Sequence, residues 1–191
     1  MDKGHVQSPG MDLLDIEGIA KRIRAVSYLT GEFRLRSGTT SAFYWDKYRF
    51  ESDPFLLHSI VAELEKRLPA SFDKLAGLEL GGVPLATGLS LKIGKPCLYV
   101  RKEAKDYGTC NLVEGGFDAA ERVVVIEDVV TTAGQVCTSV EQMRELGLVV
   151  EDVVVVIDRQ QGGRERVAEI GCTFSSVFTL EELERLAGGD E

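Results

Sequence analysis

Residues 123 to 134, Val-Val-Val-Ile-Glu-Asp-Val-Val-Thr-Thr-Ala-Gly, constrain the fold of this chain more than any other stretch. Four β-branched apolar residues, Val123 to Ile126, predict a parallel strand buried on both faces, ended by the adjacent carboxylates of Glu127 and Asp128. Small and hydroxylated residues follow and open onto a helical pattern with Val136, Val140 and Met143 on one face. Open α/β sheets bind ligands at the carboxyl ends of their strands, so this order marks a site. Glu127 and Asp128 suit the vicinal hydroxyls of a sugar, and the N–H groups from Thr131 to Gly134 at a helix N-terminus suit a phosphate dianion. A ribose 5-phosphate would satisfy both halves. Taken alone, an acidic pair at a strand end is also found in phospho-acceptor receiver domains.

The rest of the chain reads as alternating strands and helices, which predicts an α/β fold with a mostly parallel central sheet flanked by helices. Residues 1–10 read as a disordered tail, and 11–191 as a single domain without a Pro, Ser or Gly linker. Ile16, Ile19, Ala20, Ile23 and Val26 recur at helical spacing and end before Gly31. Two β-like runs then surround Ser37-Gly38, the second carrying Phe43-Tyr44-Trp45 beside Lys47, with Arg36 before the turn. These aromatics read either as a hydrophobic lid with solvated charges or as a platform for a flat ring. Asp53-Pro54 predicts a helix start, followed by a stripe of Leu56, Ile60, Val61, Leu64 and Leu68, with His58 off it.

A strand from Leu75 to Leu80 leads into Gly81-Gly82 and a helical segment with Leu85, Leu89 and Leu91, a second place where bare backbone meets an anion. After a strand at Cys97 to Val100, residues 101–116 have three basic residues near their start and no apolar period, which predicts a mobile lid loop over 102–116. Val149 to Ile157 predicts a strand interrupted by Glu151 and Asp152, ending in Asp158-Arg159-Gln160. Arg159 is placed there for a ligand carboxylate or for a surface ion pair. Thr173 to Phe178 predicts a last strand, and Thr179 with Glu182 a capping box.

A formal net charge of −9 argues against nucleic acid as a partner. The four cysteines lack C-x-x-C spacing, and the histidines His5 and His58 are far apart, so no structural zinc site is expected. Cys97 and Cys172 read as strand residues and Cys137 as a helix residue, all buried free thiols of a reducing compartment. No signal peptide or membrane-spanning run is read, so the expected location is the cytoplasm.

In combination these blocks resemble the orotate phosphoribosyltransferases, within the type I phosphoribosyltransferase fold, from about Asp12 to Leu186. The resemblance is carried by Gly31-Glu32-Phe33 through Ser37-Gly38 and the aromatics; by Gly82-Val83-Pro84-Leu85-Ala86; by Arg101-Lys102-Glu103-Ala104-Lys105-Asp106-Tyr107-Gly108; and by the central motif followed by Asp158-Arg159-Gln160. It implies a small N-terminal hood over about 11–50 and a core over about 51–191. It also implies transfer of a phosphoribosyl group from phosphoribosyl pyrophosphate (PRPP) to orotate, in pyrimidine synthesis. Tyr44, Trp45, Thr131 and Arg159 would bind the base. Leu80, Gly81, Arg36, Arg101, Lys102, Lys105, Tyr107, and the run Glu127, Asp128, Val129, Val130, Thr131, Thr132, Ala133, Gly134 and Gln135 would bind PRPP.

Lys105, Arg101 and Asp128 are the implied catalytic residues. Mg²⁺ would be held mainly by substrate oxygens rather than by a protein cage, and a homodimer would share the lid between subunits. Arg36 stands where many members have Lys, and Gly81 where some bacterial members have a second lysine. These departures leave open a related transferase for another base, or a non-catalytic PRPP-sensing regulator.

Overall fold

The computed structural model describes residues 12–34, 38–103 and 111–188. The expected tail, and Arg36, Lys105 and Tyr107 among the expected site residues, lie outside them. Helix α1 (Ile16–Ser27) is capped by Asp15, whose side chain accepts from the Gly18 N–H at 2.8 Å. Strands β1 (Tyr28–Arg34) and β2 (Thr40–Trp45) form a separate antiparallel ribbon, the hood. A single helical turn, α2 (Tyr48–Glu51), follows, then α3 (Pro54–Glu65). The core continues with β3 (Lys74–Leu78), α4 (Gly82–Ile93), β4 (Cys97–Val100), β5 (Val113–Glu114), β6 (Arg122–Val130) and α5 (Gly134–Glu145). It ends with β7 (Val149–Asp158), α6 (Gly163–Glu169), β8 (Thr173–Thr179) and α7 (Leu180–Leu186).

The six-stranded sheet has the order β5-β4-β3-β6-β7-β8, parallel except for β5. Along β6 the side chains alternate between two cores: Val124 and Ile126 pack on the side of α1, α3 and α4, and Val123 and Val125 on the side of α5. From β3 the chain moves outward to β4, then returns to place β6 on the other side of β3. The order reverses between β3 and β6, and the crevice above that point is where such sheets hold ligands.

Helix α4 starts in backbone contact with the sheet. A Cβ on Gly82 would lie 2.2 Å from the Ile126 carbonyl oxygen, and one on Gly77 would lie 2.6 Å from the Gly82 carbonyl oxygen. Only hydrogen fits at these positions, and this contact sets the loop after β3 against the end of β6.

Several expectations change. Strand β6 runs on through Glu127 and Asp128 to Val130, because β7 is long enough to keep pairing with it: Glu127 opposes Val155 and Val130 opposes Asp158. The acidic pair is therefore inside the strand and not at its end. Glu151 is the residue by which β7 outruns β6, since Val123 pairs with Val150 but Val124 with Asp152, a bulge that lets Glu151 meet Arg122 at 2.8 Å. Within the expected lid of 102–116, Val113 and Glu114 form the antiparallel edge strand β5, while 104–110 lie outside the described residues. Leu80 lies in the turn after β3, which stops at Leu78. Leu91 is 83% exposed on α4, while Leu85 and Leu89 are buried. Cys172 precedes β8 instead of lying in it.

Asp53 accepts from the N–H groups of Phe55 and Leu56, at 3.0 and 3.2 Å, and pairs with Arg22 at 2.7 Å. Burial works against its charge, but Arg22 and the two N–H groups outweigh it and hold the carboxyl below the usual carboxylate range. Stability from Asp53 is therefore complete above the unfolded value of about 3.9 and is lost as pH falls through the lowered value. Asp53→Ala is expected to cost about 1–2 kcal/mol in urea unfolding at pH 7, with a smaller difference from wild type at pH 3. Gly82→Ala is expected to cost about 3 kcal/mol in the same measurement, because its methyl group meets backbone and not a flexible side chain.

Candidate active site

Two cavities open at the carboxyl edge of the sheet. The larger, about 630 Å³, is lined by Lys47, Tyr48, Glu79, Leu80, Lys102, Glu127 and the run Val129 to Val136. The smaller, about 300 Å³, is lined by Ser27, Trp45, Lys47, Phe50, Val129, Thr131, Ile157, Arg159, Leu180 and Leu183. Lys47, Val129 and Thr131 border both, so the cavities share a wall.

The larger cavity has the character of a phosphate site. Ala133, in the left-handed region at φ 55°, precedes the first turn of α5, and no side chain caps that helix. Its leading N–H groups face a cavity lined by Thr131, Thr132, Ala133, Gly134 and Gln135, where an anion would complete them. Across the cavity the Glu79–Leu80 peptide is cis, and Glu79 accepts from the Lys102 N–H at 2.9 Å, tying the loop after β3 to the start of the segment after β4.

The smaller cavity suits a flat, partly polar ring. Trp45 is positioned by the hood, edge-on to Tyr28 at 5.4 Å between ring centroids. Arg159 is held at the end of β7, where its N–H donates to the Val130 carbonyl at 2.9 Å. Asp158, buried beneath, accepts from the Gln160 N–H at 2.8 Å and lies 3.5 Å from Arg164. The turn that presents Arg159 is thus built on a buried carboxylate.

Asp128 is fully buried, with 0% exposure. Lys47 Nζ donates to its Oδ1 at 3.0 Å and lies 2.7 Å from Oδ2 as a charge contact, while the Val129 N–H donates to Oδ1 at 2.5 Å. Glu51 of α2 is buried on its other side, and a Cβ on Gly81 would lie 1.8 Å from Asp128 Oδ2 and 2.9 Å from Glu51 Oε1. Glu51 is thus packed beside Asp128, which pairs with the Lys47 ammonium, and Glu127 is its neighbour along β6. Burial and hydrogen bonding to Asp128 push Glu51 up to about 9, and the same two causes push Glu127 well above the usual carboxylate range. Burial also opposes the charge on Asp128, but hydrogen bonds from Glu127 and Glu51 and the Lys47 charge outweigh it and hold Asp128 low. Of the three, Asp128 is the carboxyl whose charged form the surroundings favour.

Of the residues expected around PRPP, the structure gathers Leu80, Lys102, Glu127 and Val129 to Gln135 around the larger cavity. Gly81 packs behind it against Asp128, and Asp128 lies beneath, closed off by Lys47. The Arg101 Nε is buried without a partner and lines neither cavity. Of the residues expected around the base, Trp45, Thr131 and Arg159 line the smaller cavity. Tyr44 does not. It is 45% exposed and packs on Phe33 at 5.6 Å, because neighbours on a strand face opposite sides and only one of Tyr44 and Trp45 can turn inward. Sequence reasoning missed Glu51, Ser27 and Phe50, and it gave Lys47 no role beyond standing beside the aromatics. No local pattern marks them, since their partners are distant in the chain.

Cys97, Cys137 and Cys172 are free, with burial pushing each thiol above its ordinary value, Cys97 to about 11, so none is an activated nucleophile. Among the described residues no three His, Cys, Asp or Glu side chains converge as metal ligands, and none of the helices is long and apolar enough to cross a membrane.

No protein-family model matches the chain. The orotate phosphoribosyltransferase of Nocardioides sp. is 48% identical over 166 residues, covering 87% of this chain and 93% of that one. Among solved structures, orotate phosphoribosyltransferase from Aeropyrum pernix superposes with a TM-score of 0.79 at 33% identity, covering 91% of this chain and 99% of its own. The Mycobacterium tuberculosis H37Rv orotate phosphoribosyltransferase in complex with PRPP gives a TM-score of 0.76 at 28% identity, covering 89% and 99%. Sequence likeness along almost the whole length thus agrees with the twin-cavity site at the sheet's switch point: the chain belongs to the orotate phosphoribosyltransferase family.

Proposed function

We propose that the chain transfers the phosphoribosyl group of PRPP to N1 of orotate, giving orotidine 5′-monophosphate and pyrophosphate. The observation that carries this reading is the shared wall. A cavity shaped for a sugar phosphate and a cavity shaped for a ring with an anionic substituent meet at Val129 and Thr131, where a bond between sugar and base would form.

In this reading the 5′-phosphate sits on the uncapped start of α5, and the threonine hydroxyls add hydrogen bonds. Trp45 stacks on the orotate ring and Arg159 pairs with its carboxylate. As the bond from C1 to pyrophosphate breaks, positive character grows on the ribose and negative charge on the leaving oxygen, so cations already in place act most strongly in the transition state. Lys102 at the cavity, and Arg101 and Lys105 by family resemblance, supply them. Mg²⁺ would enter on the diphosphate oxygens, which fits a site where buried Asp128 already has its counter-charge in Lys47.

The reading includes a homodimer that shares the lid, in the reducing cytoplasm that suits three free thiols. Leu91, Phe55 and Tyr99 leave apolar surface exposed on α3, α4 and β4, which a second copy would cover.

With purified protein, PRPP and Mg²⁺, orotate absorbance is expected to fall, with no change when PRPP is omitted; a static signal under both conditions rules out the reaction. Arg159→Ala is expected to raise the KM for orotate by tenfold or more, about 1.4 kcal/mol or above, while the KM for PRPP stays within threefold. Leu91→Asp is expected to shift the protein to monomer in sedimentation velocity and to remove most activity with it. An active monomer would dismiss the shared lid.

A further inference from the structure

Lys47 is the cation common to the linings of both cavities. Its backbone is held firmly: the Asp46 N–H donates to the Ser27 carbonyl at 2.9 Å, and the Phe50 N–H, from a buried residue, donates to the Lys47 carbonyl at 3.3 Å. From this anchor the side chain reaches a carboxylate 81 positions away in sequence. The Lys47 side chain keeps 35% exposure, whereas that of Asp128 has none. Glu51 and Gly81 close Asp128 from behind and Lys47 closes it from the cavity, so a sugar hydroxyl reaches Asp128 only where the ammonium now sits.

The surroundings make an exchange of partners inexpensive. Lysine is a flexible stem with a rotatable donor head. The Val129 N–H continues to donate to Asp128 Oδ1 after the ammonium leaves, so the carboxylate is not stranded. The released ammonium stays beside both cavities, at the wall where negative charge would develop on a departing diphosphate. A side chain at position 81 cannot supply that charge, since its Cβ would collide with Asp128.

We propose that Lys47 is a substrate-contacting residue: ribose hydroxyls of PRPP take its place on Asp128, and its ammonium moves to the diphosphate oxygens beside C1. The proposal rests on PRPP being the substrate. The departing C1–O bond then breaks next to a cation delivered by the hood, and Glu51 acts as a positioning residue behind Asp128.

The test compares wild type with Lys47→Met and Lys47→Arg, measuring PRPP binding with Mg²⁺ by calorimetry, steady-state rates, and thermal melting. Lys47→Met is expected to weaken PRPP binding at least tenfold and to lower kcat at least tenfold, and Lys47→Arg to recover most of the binding. A Lys47→Met protein that melts earlier yet binds and turns over PRPP within twofold of wild type overturns the proposal, because it shows a purely structural latch. A second measurement needs no methionine variant: the ε-carbon NMR resonance of Lys47, assigned by its absence from Lys47→Arg, is expected to move on saturation with PRPP, and an unmoved resonance overturns the proposal. Wild-type protein that binds PRPP but leaves orotate unchanged would refute the base while leaving these tests intact. Wild type that fails to bind PRPP would refute the reading of the substrate itself.

Discussion

At Gly77 and Gly82 the first turn of α4 rests on the sheet backbone to backbone, and the geometry of the site depends on that contact. A helix packed through side chains would stand farther from the sheet. Here it sits low enough for the Glu79 to Gly82 turn to reach the level of Asp128, so that two loops from different parts of the chain form facing walls of one cavity. The reversal of strand order between β3 and β6 opens the crevice, and the missing side chains draw its edges together.

The second constraint is electrostatic. Three carboxyls cannot share a buried volume as three charges when one ammonium faces them. The surroundings push Glu51 and Glu127 toward their neutral forms and favour the charge on Asp128, which Lys47 meets. In the proposed reading, a net negative protein would hold a phosphorylated substrate largely through backbone N–H groups and not through side-chain charge.

Most of the fold was legible from period and punctuation. Asp53-Pro54, Thr179 with Glu182, and the alternating buried runs placed α3, α7, β6 and β7 because each signal is local. The end of β6 was misread because acidic residues suggest a strand's edge, whereas a long neighbour keeps the ladder going. Tyr44 was misread because stacking chemistry was considered without strand alternation. Around the cavities, the run Val129 to Gln135 and Arg159 were visible because one contiguous stretch and one strand end carry them. Lys47 and Glu51 were not, since a lysine after an aromatic strand and a glutamate in a single helical turn look solvated until the fold sets Asp128 between them.

Trp45 is the chain's one tryptophan, and the hood places it on the wall of the smaller cavity and away from the larger. In the proposed reading its indole emission would originate beside the base alone. On that reading the molecule carries a built-in optical reporter for one half of its site, by which arrival of the ring would be followed separately from arrival of the sugar phosphate, without labelling.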